Sequence, residues 1–253
     1  MIGVYKESIN NIPTLVVADT EKTNEALPVI VYYHGFTSAK EHNLPLAYLL
    51  AEEGYRVVLP DSIYHGEREL EVTPQQRKIS FWDIVMKNVQ EFQDISNYYE
   101  KQNLLLNQRI GVAGTSMGGI TTTAALTQYP QIKVSAVLMG SPKITTYAQT
   151  LVESIQKVGD LPLTDEMIDQ LYVQLKTYDL SLRPEKLNNR PLLFWHGEED
   201  PVVPFDHSYT FYEDVQSQYQ DQNKIQFIKE ANRGHKVSRY AVLETVKWFK
   251  MHL

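Results

Sequence analysis

The chain has 253 residues, enough for one large α/β domain burying about 70–75% of its unfolded surface. At 43% hydrophobic and 22% charged it is ordinary for a globular protein, and the absence of cysteine excludes disulfides, thiolate metal sites and a cysteine nucleophile. The 24 Lys and Arg against 31 Asp and Glu give a net charge of −7, which sets long-range repulsion against a nucleic-acid partner.

Met1-Ile-Gly-Val-Tyr-Lys-Glu7 lacks the basic-then-apolar pattern of a signal peptide. Nothing in the chain approaches the roughly 18 unbroken apolar residues of a spanning helix. A cytoplasmic address with no membrane partner is expected. Short β-branched runs predict strands at Thr14–Ala18, Val29–Tyr33, Arg56–Leu59, Arg109–Ala113, Val134–Met139, Leu192–Trp195 and Lys224–Ile228. Several are continuous apolar blocks, as in strands covered on both faces. Helices are expected between them. Leu46–Glu53 follows Pro45 and stops at Gly54, and Ser80–Tyr99 opens with Ser80 and Asp83 in a capping-box arrangement. Gly119–Gln128 stops before Pro130, and Tyr240–Met251 closes the chain. Such alternation predicts a mostly parallel, doubly wound sheet flanked by helices.

One stretch breaks the alternation. Thr145–Val158 and Thr164–Thr177 read as two helices separated by Gly159-Asp-Leu-Pro162, with no convincing strand from Met139 to Pro191. They are expected to form a small helical cap at about 143–190 within a single domain spanning 1–253. Two plain crossover helices are the alternative, since periodicity does not separate the two readings.

Candidate chemistry gathers just after the predicted strands. His34-Gly35-Phe36 follows Val29–Tyr33, and a small residue there leaves the Phe36 N–H free to point into a site. Taken alone this is a turn that needs glycine. Asp61-Ser-Ile-Tyr64-His65 follows Arg56–Leu59. His65 is expected as a pocket-wall or turn residue held by neighbours such as Asp61, with action as a base as its alternative. Gly114-Thr-Ser116-Met117-Gly118 lies between a strand and a helix, the pattern of a nucleophile elbow. It holds the Ser116 hydroxyl at a helix N-terminus, where the Met117 N–H pairs with that of Phe36 to bind a developing oxyanion. Trp195-His-Gly-Glu198-Glu199-Asp200-Pro201 offers three carboxylates. Asp200, next to Pro201, is the best fixed, while Glu198 and Glu199 read as a solvated turn. Gly234-His235 follows the last strand. An imidazole, with an ordinary pKa near 6.5, can both take and return a proton at neutral pH. The order Ser116…Asp200…His235 is that of one hydrolase fold and not of the other serine-hydrolase folds. No metal-ligand spacing, phosphate loop or dinucleotide fingerprint occurs, so neither metal nor cofactor is expected.

With these motifs the chain resembles the α/β-hydrolases, and within them the cofactor-free serine esterases related to dienelactone hydrolases and to the catalytic domain of prolyl oligopeptidases. The resemblance covers essentially the whole length. Its specific parts are Gly114-Thr-Ser116-Met-Gly118-Gly119 and Trp195-His-Gly-Glu-Glu-Asp200-Pro-Val-Val-Pro204. It implies Ser116 as nucleophile, His235 as base, Asp200 as orienting acid, and the Phe36 and Met117 amides as oxyanion hole. Dienelactone hydrolases carry cysteine at the elbow, so their lactone substrate is not carried over. No propeller like that of the oligopeptidases fits in this length.

The expected activity is hydrolysis of short- to medium-chain carboxylic esters through an acyl-enzyme, with a small-molecule ester as partner. Phe36, Tyr64, Trp82, Tyr147, Leu151, Leu171 and Tyr172 are candidates for an apolar pocket wall. An aminopeptidase or amidase, or a non-catalytic ligand-binding protein of the same fold, is the alternative. The oligomeric state is open, a homodimer being one expectation.

Overall fold

β3 (Leu27–Tyr33), β4 (Arg56–Pro60) and β7 (Leu192–Gly197) are buried at every residue, because helices cover both faces of the sheet they share. The computed structural model describes residues 1–69, 72–158 and 163–253. The expected turn Gly159-Asp-Leu-Pro162 lies outside them. The remaining strands are β1 (Ile2–Ile9), β2 (Ile12–Asp19), β5 (Leu105–Thr115), β6 (Ile132–Leu138) and β8 (Ile225–Glu230). They join in the order β1-β2-β4-β3-β5-β6-β7-β8, antiparallel from β1 to β4 and parallel from there on.

Two differences from the sequence reading concern the start of the chain and a helix cap. β1 has only one covered face and carries Gly3, Lys6, Glu7 and Ser8, too thin an apolar signal to stand out. Its hairpin signal was Asn10-Asn11, both left-handed (φ 49° and 65°), as a type I′ turn requires. Ser80 makes no side-chain cap. The capping box belongs to Thr73 and Gln76, one short helix earlier.

The helices are α1 (Leu44–Glu52), α2 (Pro74–Ile79), α3 (Phe81–Lys101), α4 (Met117–Gln128), α5 (Ile144–Val158), α6 (Asp165–Leu175), α7 (Phe205–Gln216) and α8 (Arg239–His252). Leu46 and Leu50 of α1 join Trp248 and Phe249 of α8 over one face of the sheet. Phe92 and Ile95 of α3, Leu126 of α4 and Phe211 of α7 cover the other. α4 is buried from Met117 to Thr127, and its threonines stay satisfied by bonding back: Thr121 and Thr122 donate to the carbonyls of Met117 and Gly118 (3.0 and 2.9 Å). No described helix is long and apolar enough to cross a membrane.

Chain direction places the site. From β3 the chain steps outward to β4, then returns through α3 to β5 on the far side of β3. The carboxyl ends of β3 and β5 therefore lie side by side, with Tyr33 opposite Gly114. Open α/β sheets collect ligands at such a switch point. α5 and α6 lie between β6 and β7, and Ile144, Tyr147 and Leu175 pack with Trp82 of α3 and Met117 of α4 in a third apolar cluster.

Candidate active site

β5 breaks directly into α4 at Ser116, whose backbone is held at φ 55°, ψ −114°. A non-glycine residue keeps that conformation only when its surroundings over-determine it. Here they do. The Ser116 N–H donates to Leu138 O (2.9 Å), and the flanking backbones approach so closely that side chains are excluded. A Cβ on Gly114 would fall 2.3 Å from the carbonyl of Gly118, and one on Gly118 would fall 2.0 Å from the carbonyl oxygen of Tyr33. The elbow is thus wedged against the end of β3.

His235, in the loop between β8 and α8, places Nε2 2.8 Å from Ser116 Oγ. Its other nitrogen, Nδ1, stands 2.7 Å from Asp200 Oδ2, beyond the end of β7. The Asp200 side chain is buried, whereas Glu198 and Glu199 are exposed. Asp200 Oδ1 accepts the amide hydrogens of Val202 and Val203 (2.8 and 3.0 Å), and Oδ2 also accepts from His196 Nε2 (3.1 Å). Burial pushes the Asp200 carboxyl up, but the hydrogen bonds from His196, His235 and the Val202 amide outweigh it and hold the group well below the usual carboxylate range. An ionised Asp200 only accepts, so Nδ1 of His235 carries the hydrogen and Nε2 presents its lone pair to the serine hydroxyl. The three side chains named from the sequence meet, and in the order that lets a serine proton move to the imidazole.

On the other side of Ser116 runs the His34-Gly35-Phe36 turn. A Cβ on Gly35 would lie 3.6 Å from that of Ser116, so this backbone passes directly beside the hydroxyl. The Phe36 N–H has no protein acceptor among the described residues. The Met117 N–H belongs to the first residue of α4, one of the amides that a helix start leaves without an intrahelical partner. Two buried imidazoles fix the loops. His34 Nδ1 donates to Gly35 O (2.8 Å) while its Nε2 accepts from the Ser62 N–H (3.1 Å). His65 Nδ1 donates to Ile63 O (2.9 Å) and its Nε2 accepts from the Thr37 N–H (3.0 Å).

His65 therefore holds a turn, and through Thr37 and Ile63 rather than Asp61. Both of its nitrogens are engaged, which removes it as a base. Asp61 instead receives the Lys40 amide (3.1 Å), the Lys40 ammonium and the Glu67 amide (2.9 Å).

An apolar cavity of about 330 Å³ opens on Ser116. Phe36, Trp82, Tyr147, Leu151 and Leu171 line it, with Phe81 and Ile155 that the sequence reading had not singled out. The Phe36, Phe81 and Trp82 rings meet edge to face at 5.5 and 4.9 Å, and Tyr147 is tied down through its hydroxyl to Val202 O (3.2 Å). Tyr64 and Tyr172 do not line this wall. They pack against the apolar cluster to which Trp82 and Tyr147 belong. His196 carries no sequence-based expectation, although H-G-x-x-D already places it four residues before the acid.

Residues 46–253 match the model of the prolyl oligopeptidase family. The Bacillus subtilis (strain 168) protein named "Putative esterase YitV" is 46% identical over 255 residues, covering 100% of both chains. "Esterase YjfP" of Escherichia coli (strain K12) is 29% identical over 253 residues, again 100% of both. Among solved structures, TT1662 from Thermus thermophilus superposes with a TM-score of 0.77 at 18% identity, over 99% of this chain and 98% of its own, a likeness of fold.

Proposed function

The chain belongs to the prolyl oligopeptidase family of α/β-hydrolases and is a serine hydrolase of esterase type; from that premise we propose that it cleaves short- to medium-chain carboxylic esters through an acyl-enzyme on Ser116. The observation that carries this reading is the 330 Å³ apolar cavity opening on a serine hydroxyl 2.8 Å from an imidazole.

In this reading His235 Nε2 takes the Ser116 proton as Oγ attacks the ester carbonyl. The carbonyl oxygen becomes an oxyanion, which the Phe36 and Met117 amides receive. One such donor is worth about 10²–10³ in rate. Asp200 holds the imidazole tautomer and stabilises the imidazolium that forms. His235 then gives its proton to the departing alkoxide, leaving Ser116 acylated and an alcohol free. Water repeats the sequence on the acyl-enzyme, so the net reaction is ester plus water to acid plus alcohol.

The acyl chain lies in the apolar cavity, between the aromatic wall of Phe36, Phe81 and Trp82 and the side chains of α5 and α6. A 4-nitrophenyl ester series on the purified protein tests this. Expected is a maximum in kcat/KM at about four to eight acyl carbons, suited to a cavity at the small end of ligand sites. A preference for long-chain emulsified lipid overturns the acyl assignment. The family also contains peptidases by name, which makes amide cleavage the second reading. Aminoacyl anilides cleaved as fast as the esters would favour it.

A further inference from the structure

Among the described residues two cavities open on Ser116, and the second is the more polar of the two. The first is the apolar one, with Ser116 and Trp82 in its wall and His235 outside it. The second, about 450 Å³, has both Ser116 and His235 in its wall, together with His42, Asn43, Lys236 and Arg239. No carboxylate is among the described residues lining either cavity, in a chain with 31 acidic residues and a net charge of −7, but the first has one cation in its wall, Lys78, where the second has two beside His42 and His235. Lys236 and Arg239 are exposed, and neither side chain has an ion-pair or hydrogen-bond partner among the described residues. The Asn43 amide nitrogen is buried and lacks an acceptor. His42 Nδ1 accepts from the Ala39 N–H (3.3 Å), so its Nε2 carries a hydrogen and adds another donor. Donors and positive charge collect here without a protein acceptor to use them.

The reaction chemistry says which half of an ester goes where. The leaving oxygen must come within reach of His235 Nε2, since that nitrogen returns the proton. The acyl half must keep its carbonyl oxygen at the Phe36 and Met117 amides. Of these two cavities, it is the second that has His235 in its wall. We propose that this cavity is the alcohol subsite, and that it selects alcohols carrying an anionic substituent, carboxylate or phosphate, through Lys236 and Arg239. The inference rests on the esterase reading above and specifies its substrate as an ester of an apolar acid with an anionic alcohol.

Butyrate esters of three phenols test it: 4-hydroxybenzoate, 4-hydroxyphenyl phosphate and the neutral 4-hydroxybenzamide. Expected for the wild type is a kcat/KM about three- to tenfold higher for at least one anionic ester than for the neutral one, carried in KM. The advantage should shrink in 0.5 M NaCl, because the two cations are exposed. In the Lys236→Gln/Arg239→Gln double variant the anionic-to-neutral ratio should fall to about one. Reading the ratio cancels any general loss of activity or folding. The larger of the two anionic ratios tells a carboxylate site from a phosphate site. A ratio near one in the wild type, or the same ratio in wild type and double variant, overturns the subsite. Cleavage of the neutral ester that depends on Ser116 but shows no anion preference sinks this inference alone. Failure to cleave any of the three sinks the esterase reading with it.

Discussion

His196 Nε2 stands 3.1 Å from Asp200 Oδ2, the same oxygen that faces His235. It also stands 3.0 Å from the carbonyl oxygen of Val203. Both neighbours are acceptors, so Nε2 carries the hydrogen and shares it between them. The acid is therefore clamped by two imidazoles and two amides, with His196 fixing the loop from Gly197 to Val203 as well as the carboxylate. A hydrogen bond to a charged group is worth about 1.5–3 kcal/mol. His196→Leu should lower kcat about tenfold with KM little changed, because the acid is left free to turn away from His235. His196→Gln, whose amide can still donate, should recover most of that loss. Equal kcat in both variants, with circular dichroism unchanged, removes His196 from the positioning of Asp200.

Ser116 sits at φ 55°, where an L side chain is strained and glycine is not. Strain of this kind costs of the order of 1–3 kcal/mol and is retained at functional sites. Ser116→Gly should therefore unfold at higher urea concentration than wild type, by about 1 kcal/mol, while losing ester turnover and labelling by a fluorophosphonate. Ser116→Ala should lose the same activity without the gain, because its Cβ keeps the strain. A Gly variant no more stable than the Ala variant would mean that the elbow stores no such energy.

Gly118 is a different case, since what it lacks is space. The 2.0 Å approach to Tyr33 O means that Gly118→Ala must separate α4 from the end of β3. Tyr33 leads directly into His34-Gly35-Phe36, so the shift moves the Phe36 amide away from Ser116. Overpacking of this kind typically costs about 1–3 kcal/mol. The variant should lose that much in urea unfolding, and kcat should fall by more than KM changes. Near-wild-type kcat in a folded Gly118→Ala protein would place the oxyanion donors elsewhere.

Much of this was legible because the signals are local. G-x-S-x-G dictates its own turn, and buried parallel strands write themselves as apolar blocks, so β3, β4, β5 and β7 stand out. The convergence of Ser116, Asp200 and His235 followed from each lying just past a strand, which a parallel sheet brings to one edge. α7 was not legible: Phe205–Gln216 follows Pro204 without a side-chain cap and places its aromatics among Asp, His, Ser and Glu. β5 begins at Leu105 rather than at the expected Arg109, since Asn107 and Gln108 are left-handed and interrupt the apolar pattern. The partner of His65 was equally hidden, because Thr37 lies on a different loop and offers only its amide. The second cavity escaped for a related reason. His42, Lys236 and Arg239 are ordinary surface residues in sequence, and only folding brings the segment before α1 against the start of α8.

The buried imidazole of His34 gives a pH dependence whose sign follows from its hydrogen bonds. Burial pushes its pKa down to about 4, against the opposing effect of its bond to Gly35 O. In the unfolded chain it titrates near 6.5. A folded pKa below the unfolded one favours the neutral form in the fold, so the contribution is complete above about pH 6.5. It declines as the pH falls toward 4, where the folded state also takes the proton. The difference corresponds to about 3 kcal/mol over that window. His65 and His207 are shifted down by burial too and add to the loss in the same direction. Protonation of His34 also removes the acceptor of the Ser62 N–H, so acid should loosen the loop that carries Phe36 before it unfolds the sheet. Urea unfolding at pH 7.5, 5.5 and 4.5 checks this. Wild type should lose stability faster than His34→Gln on acidification, by close to one proton's slope. Parallel curves would mean that His34 is not held neutral, and the turn beside Ser116 would then need another anchor.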